Sequence, residues 1–379
     1  MATIDTATTP APAYPNGRAP LPYQAAFEVA EDGEEETKAG LAATLAQIST
    51  TTYQDSGHAS RSVHAKSHGL LRGELEVFDG LPLELAQGVF ARPGRRPVVM
   101  RLSSTPGDML DDSVSTPRGL AVKVIGVAGE RLDGSGGATT QDFVMVNGPV
   151  FLAPGPKKFL GSLKLLAATT DKAPNLKKAL SAVLRGTERV LEAVGGHSDT
   201  IIALGGHPET HLLGETYYSQ VPILYGAYMA KVCVAPVSPE LTALTQAPLD
   251  VNGKPNGLRE AVVAFFAQHE AVWELRVQLC TDLAAMPIED AAVRWPEEQS
   301  PYIAVARITA PRQAGWSEAL SRYIDDGMSF SPWHGVAAHR PLGAIMRVRK
   351  AAYEVSARFR AERNGGPLVE PASLDDFPG

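Results

Sequence analysis

Hydrophobic and polar residues follow two rhythms along this chain. In GEEETKAGLAATLAQIST three acids precede apolar residues at intervals of three and four, which predicts a helix from about Gly33 to Thr52, with its carboxylates at the positive end of the helix dipole. From Gly73 the rhythm shortens. GELEVF, RPVVMRLSS, GLAVKVIG and DFVMVNGPVFL are short apolar runs bounded by Gly, Pro or Asp, and they predict strands. Two amphipathic helical stretches follow, KKFLGSLKLLAATT and NLKKALSAVLRGTERVLEAV, before strand-like runs return at GAYMAKVCVAPV, AVWELRVQLCT and YIAVARITA. The C-terminal part turns helical again through WSEALSRYIDDG and GAIMRVRKAAYEVSARFRAERNG, which Gly365 and Gly366 close. This order predicts an α+β protein built on an antiparallel β-barrel.

The segments fall into a flexible arm (1–22), a leader helix region (23–57), a barrel core with inserted helices (58–310), a C-terminal helical segment (311–365) and a tail (366–379). The arm and leader have little core of their own to pack on, so a homo-oligomer, most simply a dimer, is expected. Of the 379 residues 44% are hydrophobic and 20% charged, and the net charge of -7 argues against a nucleic-acid partner. No apolar run is long enough for a spanning helix. The opening MATIDTATTPAPAYPNGRAP has neither the basic start nor the apolar block of a secretory signal, and Cys233 and Cys280 are too few for a disulfide framework, so a cytoplasmic protein is expected. DGSGGATT, Asp133 to Thr140, lacks the lysine and following helix of a phosphate-binding loop and reads as a hairpin connection.

Chemistry concentrates in five stretches. RSVHAKSHG holds His64, whose imidazole titrates in the range useful for acid–base transfer, although a lone histidine fits a core role equally well. VVMRLSS, STPRGLAVKV and QDFVMVNGPVFL come next, and RVRKAAYEVSARFR lies near the end. In that last stretch Arg349 and Tyr353 are four residues apart and share a helix face, with Arg360 seven residues further on the same face. Such a pair on a basic amphipathic helix also fits plain surface packing.

Taken in order, these five stretches resemble the heme-containing catalase family over roughly Tyr53 to Arg363. PIEDAAVRWPEEQSPYIAVARI and FSPWHGVAAHRPLG are more similar to its short, catalase-related peroxidase branch. The resemblance implies heme b held between the barrel and the C-terminal helices. It implies that Tyr353 is the iron ligand, as a phenolate whose charge Arg349 offsets, and that Arg61, Arg101 and Arg360 pair with the propionates. It further implies that His64 is the distal acid–base group, that Ser103 fixes its tautomer, and that Phe151 and Phe159 lie near the porphyrin. Val63, before the distal histidine, resembles the true catalases rather than the hydroperoxide-isomerising relatives.

Two departures stand out. His68 occupies a position where the family pattern has a small residue, and no catalytic role is assigned to it. The strand reads VMVNGPVFL, with Val146 and then Asn147 where the large catalases carry two asparagines, so strand alternation turns Asn147 away from the heme unless a bulge at Gly148 turns it back. Asn147 is kept as a distal candidate. Compared with the large catalases, the resemblance implies that part of the apparatus narrowing their channel is missing, and a more open heme edge is expected. The expected function is a heme peroxidase that reduces hydrogen peroxide or an organic hydroperoxide with a small organic electron donor, with some dismutation of hydrogen peroxide. The alternatives are an organic (fatty-acid) hydroperoxide isomerase or peroxygenase, and a non-catalytic heme-binding protein.

Overall fold

The computed structural model describes residues 18–135, 137–169 and 209–378. Within them nine strands form, all paired antiparallel: β1 (Ser67–Val77), β2 (Gly94–Ser104), β3 (Arg118–Ile125), β4 (Thr140–Val146), β5 (Tyr217–Tyr218), β6 (Ile223–Tyr225), β7 (Tyr228–Pro236), β8 (Ala271–Leu279) and β9 (Ile303–Ala310). Their order is β5-β4-β3-β2-β1-β9-β8-β7-β6, and the extra pairing of β5 with β7 closes eight of them into a barrel, leaving β6 as a hairpin partner of β7. Closure removes the exposed strand edges that an open sheet of this size would present.

All seven sequence-predicted strands form, with shifted ends. β1 begins at Ser67 rather than Gly73, so His68 and Gly69 belong to it. The run DFVMVNGPVFL is a strand only as far as Val146, because Gly148 and Pro149 break the ladder. The two-residue β5, the short β6 and helix α3 (Gly257–Gln268) were not anticipated.

Strand alternation gives the barrel two unlike faces. Leu71, Leu75, Val98, Met100, Leu102, Leu120, Val122, Val124, Phe143 and Met145 point inward and join Trp273, Leu275 and Val277 in one core. The intervening positions of β2, β3 and β4 face outward under a helical layer. That layer is α1 (Glu34–Ser56), α2 (Pro156–Thr169) and α4 (Ala344–Asn364), joined through Leu41, Leu45 and Ile48 of α1, Leu163 of α2, and Val348 and Ala352 of α4. α1 starts on three glutamates and ends at Gly57 in the left-handed region, close to the predicted span. Gly40 lets α2 approach: a Cβ there would lie 2.9 Å from Leu160 Cδ2. Gly365, with φ 71°, stops α4 as expected. The stretch NLKKALSAVLRGTERVLEAV lies outside the described residues. No described helix is long and apolar enough to cross a membrane.

Both ends of the described chain are tied down. Leu21 and Tyr23 hydrogen-bond the backbone of Cys280 and Ala227, and so part of the segment read as a free arm packs on the barrel. The C-terminal tail is held by a buried polar cluster on the outer barrel face. Lys123 Nζ donates to both Asp142 oxygens (2.7 and 2.9 Å) and to Glu370 Oε2 (2.6 Å), and His334 Nδ1 lies 3.2 Å from Glu370 Oε1. Burial disfavours the His334 cation, but Asp142 and Glu370 outweigh it and raise its pKa to about 9; burial likewise opposes the Glu370 anion, which His334 and Lys123 hold down at about 2.

The sign of the pH dependence follows from these directions. The His334 proton stabilises the fold fully below its unfolded pKa of about 6.5, and this contribution is lost as pH rises through about 9. The Glu370 charge stabilises above about pH 4.3 and is lost as pH falls toward about 2. Thermal melts across pH should therefore show Tm falling in both windows, and Glu370→Gln should flatten the acid limb and move the alkaline one to lower pH. Superimposable profiles for the two proteins would show that this cluster does not hold the tail.

Candidate active site

Between the outer face of β2, β3 and β4 and the helical layer lies a cavity of about 1070 Å³, at the upper end of the range for small-molecule and cofactor sites. Its floor includes Arg101 and Ser103 of β2, Gly119 and Ala121 of β3, and Val144 and Val146 of β4, all at alternate positions. Its roof includes Arg349, Tyr353 and Arg360 of α4, with Leu41 and Leu45 of α1 and Phe159 of α2 at one side. Every residue given a site role from the sequence lines this one space: Arg61, Val63, His64, Arg101, Ser103, Asn147, Phe151, Phe159, Arg349, Tyr353 and Arg360. His68 does not line it. That residue is fully buried in β1, 3.9 Å from Asp112, and neither ring nitrogen has a hydrogen bond.

His64 sits just before β1 with φ 56°, a left-handed conformation that a histidine adopts only when its surroundings hold it there. Its N–H donates to the Thr105 carbonyl (2.7 Å), and its Nδ1 lies 3.1 Å from Ser103 Oγ. Gly119 makes room for the ring, since a Cβ there would stand 2.7 Å from both His64 Cε1 and Nδ1. Burial, followed by the positive charges of Arg101, Arg349 and Arg61, lowers the His64 pKa to about 3. The imidazole is therefore neutral throughout the ordinary pH range.

On the roof, Arg349 Nη2 donates to the Tyr353 hydroxyl oxygen at 2.6 Å, the geometry expected for the pair one helical turn apart. The Arg349 guanidinium also lies 5.5 Å from the centre of the Phe151 ring, and Phe151 meets Phe159 edge-to-face at 4.9 Å. A fixed cation and two aromatic rings thus frame the phenol.

Asn147 lies one residue beyond β4, where strand alternation has stopped, and both it and Val146 reach the cavity. Its side-chain oxygen accepts the Arg118 N–H (2.8 Å) and its amide donates to Glu215, whose other oxygen takes Arg118 Nη1 and Thr210 Oγ1. The amide therefore joins β3 and β4 to the segment before β5 as well as facing the cavity.

The three remaining arginines converge on a residue that the sequence did not single out. Arg101 Nε (2.6 Å) and Arg61 Nη1 (3.2 Å) donate to Asp325 Oδ1, and Arg61 and Arg360 donate to the main-chain oxygens of Asp325 (2.9 and 2.6 Å) and Met328 (3.0 and 3.2 Å). Asp325 is the fifth residue of a six-residue π-helical segment, Ser321–Asp326, of the kind found often at functional sites. Burial opposes the Asp325 charge, but Arg101 and Arg61 hold its pKa at about 2. Burial and then mutual repulsion lower Arg61, and burial followed by Arg101 lowers Arg360 to about 10. Arg360 Nε is buried with no hydrogen-bond partner among the described residues.

No protein-family model matches the sequence, and comparison with curated proteins finds no match. Solved structures do match. A fungal catalase is 18% identical with a TM-score of 0.58, over 87% of this chain and 68% of that one. Catalase A from Saccharomyces cerevisiae is 17% identical with a TM-score of 0.55, over 83% and 63%. A bacterial catalase is 15% identical with a TM-score of 0.54, over 83% and 59%. The fold is the catalase fold. This chain thus spans about three fifths to two thirds of the length of these catalases.

Do the residues of this cavity fit the heme that the sequence resemblance implies? Three arginines and one carboxylate leave a surplus of two positive charges, which matches two propionates, and the unpartnered Arg360 Nε awaits an acceptor. Among the described residues no three His, Cys, Asp or Glu side chains converge to hold a metal, so an iron here needs most of its donors from a macrocycle. Tyr353 Oη, with Arg349 beside it, is a suitable single anionic ligand. The donor set fits.

Sequence reasoning missed Asp325, Gly119, Glu215 and Gln220. Gln220 shares the left-handed conformation (φ 61°) and lines the cavity, and its amide donates to the carbonyls of Gly148 (3.1 Å) and Val150, holding the segment that carries Asn147 and Phe151. Gln220→Gly should relieve the backbone strain, about 1 kcal/mol, while releasing that segment. Relative to Gln220→Ala it should melt higher, and both variants should show faster hydrogen exchange across residues 147–151. Unchanged exchange in both variants would mean that Gln220 does not hold this wall.

Proposed function

We propose that this protein is a heme-dependent oxidoreductase that reduces peroxide with a small organic donor and also dismutates some hydrogen peroxide. The observation that carries the reading is the shared cavity: a neutral imidazole held by Ser103 on the barrel side, and a phenol paired with an arginine on the helix side. Heme b, when bound, supplies the iron at which the peroxide O–O bond is cleaved. Tyr353 would hold it through Oη, Arg349 would offset the phenolate charge, and Arg61, Arg101 and Arg360 would take the propionates.

The protein's own part is proton transfer. With Nδ1–H donating to Ser103 Oγ, His64 Nε2 is left as an acceptor, able to take the proton from the near oxygen of peroxide and return it to the departing far oxygen. The low His64 pKa keeps that acceptor available at all pH values above about 3, and carboxylates placed on Arg101 and Arg61 would offset part of the charge that depresses it. Val63, Phe151 and Phe159, all partly buried, give the space an apolar lining, and a less polar surrounding strengthens each of these electrostatic effects.

Three outcomes follow. Tyr353→Phe should bind hemin weakly and without the phenolate spectrum. His64→Ala should bind hemin as wild type does while losing about 10²–10⁴-fold in its rate of reaction with hydrogen peroxide. The wild-type rate should not titrate away between pH 7 and pH 5, because His64 does not take up a proton there. Hemin titration followed by absorption measures binding and the phenolate spectrum, and stopped-flow mixing with hydrogen peroxide or an organic hydroperoxide, with and without an oxidisable dye, measures the rates. A wild-type rate in His64→Ala would remove its acid–base role, and conversion of the organic hydroperoxide with no donor consumed would replace the peroxidase reading by an isomerase one.

A further inference from the structure

We propose that Asp325 is an internal counter-ion that assembles the arginine cradle before any ligand arrives and limits its surplus charge to two. The inference rests on the heme reading for its ligand, but its physical basis is in the protein alone.

Asp325 does not line the cavity, whereas Arg61, Arg101 and Arg360 all do, so the carboxylate stands behind the guanidinium groups. Each of its oxygens is used. Oδ1 receives Arg101 Nε and Arg61 Nη1, and Oδ2 receives Ser67 Oγ (2.7 Å) and Ser321 Oγ (2.9 Å). Its main-chain oxygen receives Arg61 and Arg360. One residue therefore ties β1, β2, the segment before β1 and α4 together at the cradle. Arg61 and Arg101 are 12% and 3% exposed at the side chain, so solvent does little to separate their charges and the Asp325 carboxylate does most of it, with a smaller pull on Arg61 and Arg360 from the more exposed Asp326, which is itself 2.8 Å from His58 Nε2.

The two states weigh Asp325 differently. Among the described residues, and without a ligand, its carboxylate is the only side-chain anion hydrogen-bonded to any of these three arginines, namely Arg61 and Arg101. With a dicarboxylate on the cavity side, two further anions share that task, and the contribution of Asp325 falls. Removing its charge must therefore weaken the free protein more than the loaded one, and the stabilisation given by a dianionic porphyrin must grow. A residue that merely supported the loop would weaken both states alike.

Asp325→Asn keeps the shape and removes the charge. In thermal melts of the full chain without cofactor it should lower Tm by roughly 5 °C or more, and hemin should raise Tm by more in Asp325→Asn than in wild type. Hemin dimethyl ester, which lacks the two carboxylates, should not reproduce the extra rise. The double variant Asp325→Asn/Arg360→Gln, which restores the surplus of two, should melt above the single variant and serves if the latter does not fold. Equal hemin shifts in wild type and Asp325→Asn, an extra rise with the ester, or a double variant no better than the single one would overturn the proposal. Failure of hemin to shift wild type at all would instead sink the heme reading, while the melts without cofactor and the double variant still decide whether Asp325 is the counter-ion.

Discussion

In β2, β3 and β4 the side chains that fill the barrel and those that face the cavity alternate residue by residue, and a slip of one position in any of these strands would exchange the two sets. The inward set is apolar apart from strand-end positions such as Arg118 and Gln141, and it fixes the register. Arg101, Ser103, Gly119, Lys123 and Asp142 then have only the outer face left to them. Polar groups placed there must be covered and paired, and the helical layer, the π-helical segment and the C-terminal tail supply both cover and partners. The site is thus a consequence of the barrel's packing: its floor is the outer face of the strands whose inner face makes the core.

Electrostatics divides that outer face into separate jobs. Near His64 burial, and after it the positive charges of Arg101, Arg349 and Arg61, keep an imidazole neutral. Around Asp325 three arginines are crowded enough that burial and repulsion depress two of them, a condition that favours arrival of negative charge. At Lys123 the opposite arrangement holds, with Asp142 and Glu370 closing the charge balance and anchoring the tail instead of inviting a ligand. Cys233 and Cys280, both buried and with thiols pushed up to about 12, take no part.

Much of this was legible from local pattern. The short apolar runs bounded by Gly and Pro predict the strands because burial on one face imposes period two, and the i, i+4 spacing of Arg349 and Tyr353 gives their hydrogen bond directly. What was not legible depends on contacts distant in sequence. Asp325 sits in an ordinary amphipathic helical pattern, and only the folding of β1, β2 and α4 around it brings Arg61 and Arg101 to its carboxylate and Arg360 to its main-chain oxygen. The close approach of Gly119 to His64 spans fifty-odd residues, and the left-handed backbone of Gln220 leaves no trace in its residue type. β5 and β6 were missed because two- and three-residue strands carry too few positions to show alternation. Strand alternation would turn Asn147 away from the cavity, but the strand ends at Val146 and both residues line the cavity.

The central claim is that one cavity holds a heme between Tyr353 and His64, and a crystal structure of the full chain with hemin tests it most directly. The account predicts iron bonded to Tyr353 Oη, both propionates on Arg61, Arg101 and Arg360, and the His64 imidazole over the opposite face of the ring. Iron bonded to His64, or a porphyrin seated away from the three arginines, would contradict it.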